Sequence, residues 1–122
     1  MGVPIFPDQS QHARLFEATF RFDWTRPPLH ANQRLAWRAI SERVRLPALP
    51  RIEVLLTWVV KDRRRRDAIN LYPLVKALTD GLVDAGVIPD DTPQYVATPE
   101  PIIRYDATAT PHFLLTIREV TA

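Results

Sequence analysis

The chain has 122 residues, 46% of them hydrophobic, with no cysteine and a formal net charge of +2. That length suits one domain, residues 1–122, around one core, and the apolar fraction argues against wholesale disorder. The lack of cysteine excludes a disulfide scaffold, a thiolate zinc site and a cysteine nucleophile, and it fits a reducing compartment.

Residues 1–14, with Pro4 and Pro7, read as an irregular tail. They hold no apolar h-region, and no window approaches the ~20 apolar residues needed to span a bilayer. The expectation is a soluble, cytoplasmic protein without a membrane partner. From Leu15 to Phe22 the pattern alternates: Phe16, Ala18, Phe20 and Phe22 on one face, Glu17, Thr19 and Arg21 on the other, as in a half-buried strand. Pro27 and Pro28 mark a loop. Asn32 can cap a helix running to about Arg45, with Leu35, Ala39, Ile40 and Val44 as its apolar side; Pro47 and Pro50 end it. Arg51 to Val60 is a second strand, so apolar from Val54 onward that it belongs at the centre of a sheet.

Lys61 to Arg66 is a charged run. Asn70 reads as the N-cap of a second helix, Leu71 to Ala85, in which Pro73 falls in the first turn. Leu71, Val75, Leu78 and Leu82 recur at helical spacing and form its core stripe. Gly86 suits the position just past the helix end. Val87 to Pro93 is a loop carrying Asp90 and Asp91. Gln94 to Tyr105 and His112 to Thr121 read as two strands joined by a hairpin connection, Asp106 to Pro111. The order β-α-β-α-β-β predicts a single small α/β (α+β) domain with a mixed sheet and the helices on one face.

The densest chemistry lies between the second strand and the second helix. Only Lys61 and Lys76 among the 16 basic residues are lysines. Arginine forks grip phosphates bidentately, although a GC-rich genome produces the same bias. Four consecutive arginines, Arg63, Arg64, Arg65 and Arg66, stand beside a helix N-terminus, where anions are favoured. Asp67 and Asn70 follow directly, and Asp90 and Asp91 lie beyond the helix. Basic residues beside carboxylates suit a metal-dependent nuclease: arginines hold the backbone while Asp67 and Asp91 hold Mg²⁺. Taken alone, the arginine run reads equally as a solvated surface, and Pro89 to Pro93 as turn chemistry. Lys76, Asp80 and Asp84 share a helix face at i, i+4, i+8, the spacing of an ordinary ion pair. Lys76, near the first turns, is also a candidate for stabilising transition-state charge. His12, His30 and His112 share no ligand spacing and read as solvent or loop residues. Trp24, Trp37 and Trp58 suit a core, an interface or base stacking equally. No nucleotide-binding glycine motif or G-x-S-x-G occurs, so no nucleotide cofactor is expected.

Asp62-Arg63-Arg64-Arg65-Arg66-Asp67, Asn70-Leu71, Lys76-Ala77-Leu78-Thr79-Asp80 and Asp84-Ala85-Gly86-Val87-Ile88-Pro89-Asp90-Asp91 together resemble RusA-type Holliday junction resolvases, especially actinobacterial and phage versions. Pro27-Pro28-Leu29-His30-Ala31-Asn32-Gln33-Arg34 is similar to the family's segment after the first strand. The resemblance implies a homodimeric, Mg²⁺-dependent endonuclease, with Mn²⁺ as a substitute, that nicks four-way DNA junctions in recombination and repair inside a bacterial cell or phage-infected host. It implies catalytic roles for Asp67, Asp91 and Lys76, and metal ligation by Asp67, Asp91 and Asp90. DNA contacts would come from Lys61, Arg63, Arg64, Arg65, Arg66, Asn70, Asn32 and Arg34. One departure stands out: the family reads Asp-x-Asp-Asn where this chain reads Asp67-Ala68-Ile69-Asn70, so Ile69 replaces a metal-binding carboxylate. Either Asp90, Asp62 or Asp80 substitutes, or the chain binds branched DNA with little cleavage. A third expectation, unrelated to nucleic acid, is a small dimeric interaction module with an incidental arginine run.

Length bears on the dimer. A helix from Leu71 to Ala85 spans ~22 Å at about 1.5 Å per residue. The flanking segments, at ~3.3 Å per residue, can just fold back far enough for Asp67 to meet Asp91. The strained fit leads to the expectation that the two aspartates meet partly across a dimer interface, whose two-fold symmetry would also suit paired nicks.

Overall fold

Val54 to Val60, the most apolar run of the chain, forms most of the central strand of a five-stranded mixed sheet. The computed structural model describes residues 15–24 and 33–121, the side chains of Gln33, Leu35, Ala36 and Ile40 excepted. Its elements are β1 (Glu17–Phe22), α1 (Gln33–Arg43), β2 (Ile52–Val60), a 3-10 turn (Ala68–Leu71), α2 (Tyr72–Asp84), β3 (Val96–Ala97), β4 (Ile102–Tyr105) and β5 (His112–Glu119). The sheet runs β1-β5-β2, with β3 and β4 both on the far side of β2. β5 is antiparallel to both β1 and β2, while β3 and β4 run parallel to β2.

The register puts Ala18, Phe20 and Phe22 on the same face as Ile117, Leu115 and Phe113, and those in turn beside Val54, Leu56 and Trp58. Val54, Leu56, Phe113, Leu115 and Ile117 are completely buried there, against Leu71, Leu74, Val75, Leu78 and Leu82 of the helical layer. Burying such side chains supplies about 1.5–3 kcal/mol each, and this single core is what holds sheet to helices. The opposite face carries Glu17, Thr19, Glu53, Thr116 and Arg118, paired by a Thr19–Thr116 hydroxyl bond of 3.1 Å and an Arg118–Glu53 ion pair. The helices therefore lie on one side, as the single apolar stripes predict.

Three local expectations are corrected. The last two strands do not form a hairpin. β4 and β5 flank β2 on opposite sides, so Asp106 to Pro111 crosses the end of β2, anchored by the Asp106 N–H donating to the Val60 carbonyl at 2.8 Å. The continuous strand Gln94 to Tyr105 is broken: β3 pairs at Ile52 and Glu53, β4 at Thr57 to Val60, and the link between them uses one residue more than β2 does. Pro99 and Pro101 fall in that link, where a missing N–H would otherwise interrupt a ladder. Of the expected apolar side of α1, Ala39 is exposed and Val44 is 45% exposed, while the Leu35 and Ile40 side chains lie outside the described residues; among the described side chains Trp37 and Ser41 are the buried ones. Ser41 Oγ donates to the Trp37 carbonyl, and Trp37 lies edge-on to Phe20 and Phe22.

Trp37 reaches the core because α2 offers no side chain opposite it. A Cβ at Gly81 would lie 2.8 Å from the Arg34 carbonyl oxygen and 3.0 Å from the Trp37 Cβ. Gly81 is thus a point of close approach between the helices. The end of α2 matches expectation: Gly86 adopts φ +81°, and the N–H of Val87 reaches the Leu82 carbonyl. At the end of α1 the same left-handed position is filled by Arg45, φ +57°.

Candidate nucleic-acid interface

The β2-α2-β3 unit puts Lys61 to Leu71 at the C-terminal end of the central strand, immediately before a helix N-terminus, the place where open α/β sheets offer ligand sites. The loop is shaped by its own polar groups. Asp62 accepts from the Arg64 N–H at 2.9 Å and pairs with Arg66 at 3.1 Å. The Arg64 N–H bond, then the Arg66 ion pair, hold the Asp62 carboxyl below its ordinary range. Arg66 also donates to the carbonyls of Asp62 and Arg64, and its guanidinium lies 5.0 Å above the Trp58 ring, whose plane stacks on Phe113. Its side chain is only 15% exposed. The arginine run therefore divides: Arg66 is a framework residue of the loop, while Lys61, Arg63, Arg64 and Arg65 are exposed. Arg63 lies 3.9 Å above the ring of Tyr105, the last residue of β4. A cleft of about 510 Å³ between Trp58, Lys61, Asp62, Arg64, Arg66 and Pro111 opens beside them. A second hollow is lined by Arg65, Arg66, Asp67 and Asn70.

The expected cap is corrected. Asp67, not Asn70, caps the turn before α2: its Oδ1 accepts from the Ile69 N–H at 3.1 Å, and its carbonyl from the Asn70 N–H. The 3-10 turn starts at Ala68, three residues before the predicted helix, and α2 begins at Tyr72 with Leu71 at its N-cap and no side-chain cap bond. Ile69 is 56% exposed, an isoleucine facing solvent two residues from Asp67.

Within one chain Asp91 returns to Lys76, in the second turn of α2, and the bonds that Asp67 and Asp91 make there are to other partners. Lys76 Nζ bonds Asp91 Oδ2, and Asp80 Oδ1 at 3.0 Å. Asp80, read from sequence as half of an ordinary i, i+4 pair, is thereby part of a three-residue cluster. The hydrogen bond from Lys76 keeps the Asp91 carboxyl below its usual value, and Asp91 in turn raises the Lys76 ammonium. Asp90 Oδ1 accepts from the Asp91 N–H at 2.8 Å, the turn chemistry that the pentapeptide suggests. Arg34 forms a two-pronged pair with Asp84, 2.6 and 2.8 Å, tying α1 to α2, and Arg34 is the main cause of the lowered Asp84 carboxyl. Asn32, His12 and His30 lie outside the described residues. His112 is not a solvent or loop residue: it is 6% exposed at the start of β5, with Nδ1 2.7 Å from the Thr110 carbonyl.

The expected Mg²⁺ ligands do not assemble in one chain. Among the described residues no three acidic or histidine side chains gather around a point. Asp67 and Asp90 each commit an oxygen to a backbone N–H, and Asp91 meets an ammonium. Tyr105 is the contributor that sequence reading missed, because its place beside the arginine run follows from the parallel pairing of β4 with the end of β2.

No protein-family model and no curated protein matches the chain. Among solved structures, a HypE–HypF complex is similar at 12% identity and TM-score 0.42, over 85% of this chain and 32% of that one. HypE alone and HypE with ATP follow at 11% and 16% identity, each with TM-score 0.38 over 88% of this chain. The chain spans about a third of the length of those proteins. Likeness below a TM-score of 0.5 carries no argument about this chain.

Proposed function

We propose that this chain binds branched DNA, as its resemblance to RusA-type resolvases implies, gripping phosphates with the exposed arginines at the end of β2 and acting as a homodimer. The observation that carries the reading is the division of the arginine run. Arg66 is spent on building the loop, which leaves Arg63, Arg64 and Arg65, with Lys61, presented to solvent, Lys61 and Arg64 lining an open cleft. Phosphate contacts of this kind position a protein without reading sequence, so recognition is of branched shape.

Mg²⁺-dependent strand cleavage is the second reading. What favours it is the convergence of Asp80 and Asp91 on one cationic atom. Against it stand Ile69 and the ammonium already seated between those carboxylates. Cleavage on this reading needs further ligands from a second copy or from DNA phosphates.

The test is a labelled four-way junction titrated with protein with and without Mg²⁺, a linear duplex as control, and Asp67→Asn and Asp91→Asn variants alongside. Tight, salt-sensitive junction binding without nicks supports the binding reading. Paired nicks that need Mg²⁺ and vanish in the variants support the endonuclease. Failure to bind either DNA sinks both and leaves the interaction module.

A further inference from the structure

Tyr105 is one of the few large side chains with apolar surface left open, at 40% exposure. It sits at the C-terminal end of β4, paired with Val60, so it stands beside the point where β2 passes into the arginine loop. Its neighbour is not an acid but Arg63, whose guanidinium lies 3.9 Å from the ring centroid. Asp106, the next residue, is engaged elsewhere: it accepts from the N–H and hydroxyl of Thr108. The result is a planar cation lying over an exposed ring; Arg63 is flanked in sequence by Asp62 and Arg64, and Tyr105 pairs with Val60, all three of which line the cleft together with Lys61. An ordinary phosphate-binding patch needs no aromatic surface. A nucleobase does, because every base has a π-face that stacks on rings and guanidinium planes.

We infer that Arg63 and Tyr105 form a stacking platform for a single unpaired nucleobase, with the flanking phosphates on Lys61 and Arg64. The inference rests on the DNA-binding reading and adds to it a ligand class: nucleotides freed from the duplex stack, as at a branch point, rather than continuous double helix. An intact duplex buries its base faces and can engage only the cationic rim.

The experiment compares a fluorescein-labelled fork with unpaired arms and a duplex of equal length, titrated by anisotropy against wild type, Tyr105→Leu, Tyr105→Phe and Arg63→Lys. Wild type is expected to prefer the fork. Loss of the ring in Tyr105→Leu should weaken fork binding about ten-fold while duplex binding stays level. Tyr105→Phe should keep the preference, and Arg63→Lys, which keeps the charge and removes the plane, should lose part of it. Equal weakening of both DNAs by Tyr105→Leu, or no weakening, overturns the platform alone. Wild type that binds neither DNA overturns the DNA-binding reading and the platform together.

Discussion

Replacing Gly81 by alanine sets two effects of opposite sign against each other on α2. In a helix interior alanine is favoured over glycine by about 1 kcal/mol. At this position the added methyl lies 2.8 Å from the Arg34 carbonyl oxygen, 3.0 Å from the Trp37 Cβ and 3.1 Å from the Arg38 nitrogen. Two of those three atoms are backbone, so relief requires α1 to move as a body. That would pull Trp37, 1% exposed, off Phe20 and Phe22. Overpacking of this kind costs roughly 1–3 kcal/mol. The net expectation is a loss of about 1 kcal/mol, or about 4 °C in melting temperature for a domain of this size. Circular dichroism melts of wild type and Gly81→Ala measure it. Gly86→Ala is the companion variant: nothing lies within 4 Å of its added Cβ, so any loss there comes from φ +81° alone. A Gly81→Ala protein that melts at or above wild type would refute the close approach of the two helices at this glycine.

Arg45→Gly should stabilise the chain by roughly 0.5–1 kcal/mol in urea unfolding, because glycine adopts φ +57° without a Cβ penalty. In junction binding, Arg64→Ala or Arg65→Ala should each lower the slope of log affinity against log salt by about 0.9. Arg66→Ala should instead lower the melting temperature, since it removes the loop's bonds to Asp62 and Arg64 and bares Trp58. The folded pKa of Asp91 lies below its ordinary 3.8, so the Lys76–Asp91 bond contributes stability above that pH and loses it as pH falls through the folded value. Lys76→Met should move the Asp91 midpoint upward in a carboxyl NMR titration. Ile69→Asp, at an exposed position, should leave the melting temperature unchanged and raise Mn²⁺ affinity measured by electron paramagnetic resonance.

The fold was legible where one residue pattern answers to one environment. The apolar run of β2 and the Leu71, Val75, Leu78, Leu82 stripe of α2 both say what they bury, and both do so. Trp37 of α1 could not be placed from its helix alone, because its burial is governed by a partner surface, the patch at Gly81, which admits Trp37, while Ala39 stays exposed. The supposed hairpin was misread because nothing local in Asp106 to Pro111 reports that β2 is inserted between the two strands. In the site, the spacing of Lys76 and Asp80 and the turn that returns Asp91 are local facts and could be read. The different fates of four adjacent arginines could not, since Arg66 is set apart by Trp58 and two carbonyls, and Arg63 by Tyr105 from a distant strand.

The strand pairing also fixes an order of events during synthesis. Among the described residues every ladder has one partner at or beyond Val96: β1 pairs only with β5, and β2 only with β3, β4 and β5. Thr19 waits for Thr116, 97 positions later. A nascent chain with α1 and α2 already extruded therefore has none of these ladders for them to rest on, and β2, its most apolar segment, is left without these neighbours until β3, β4 and β5 leave the ribosome. Such non-local topologies fold slowly and expose strand edges meanwhile. Ribosome pausing within β5 would prolong exposure of this apolar segment, whereas emergence of β5 lets one late strand join both halves of the sheet.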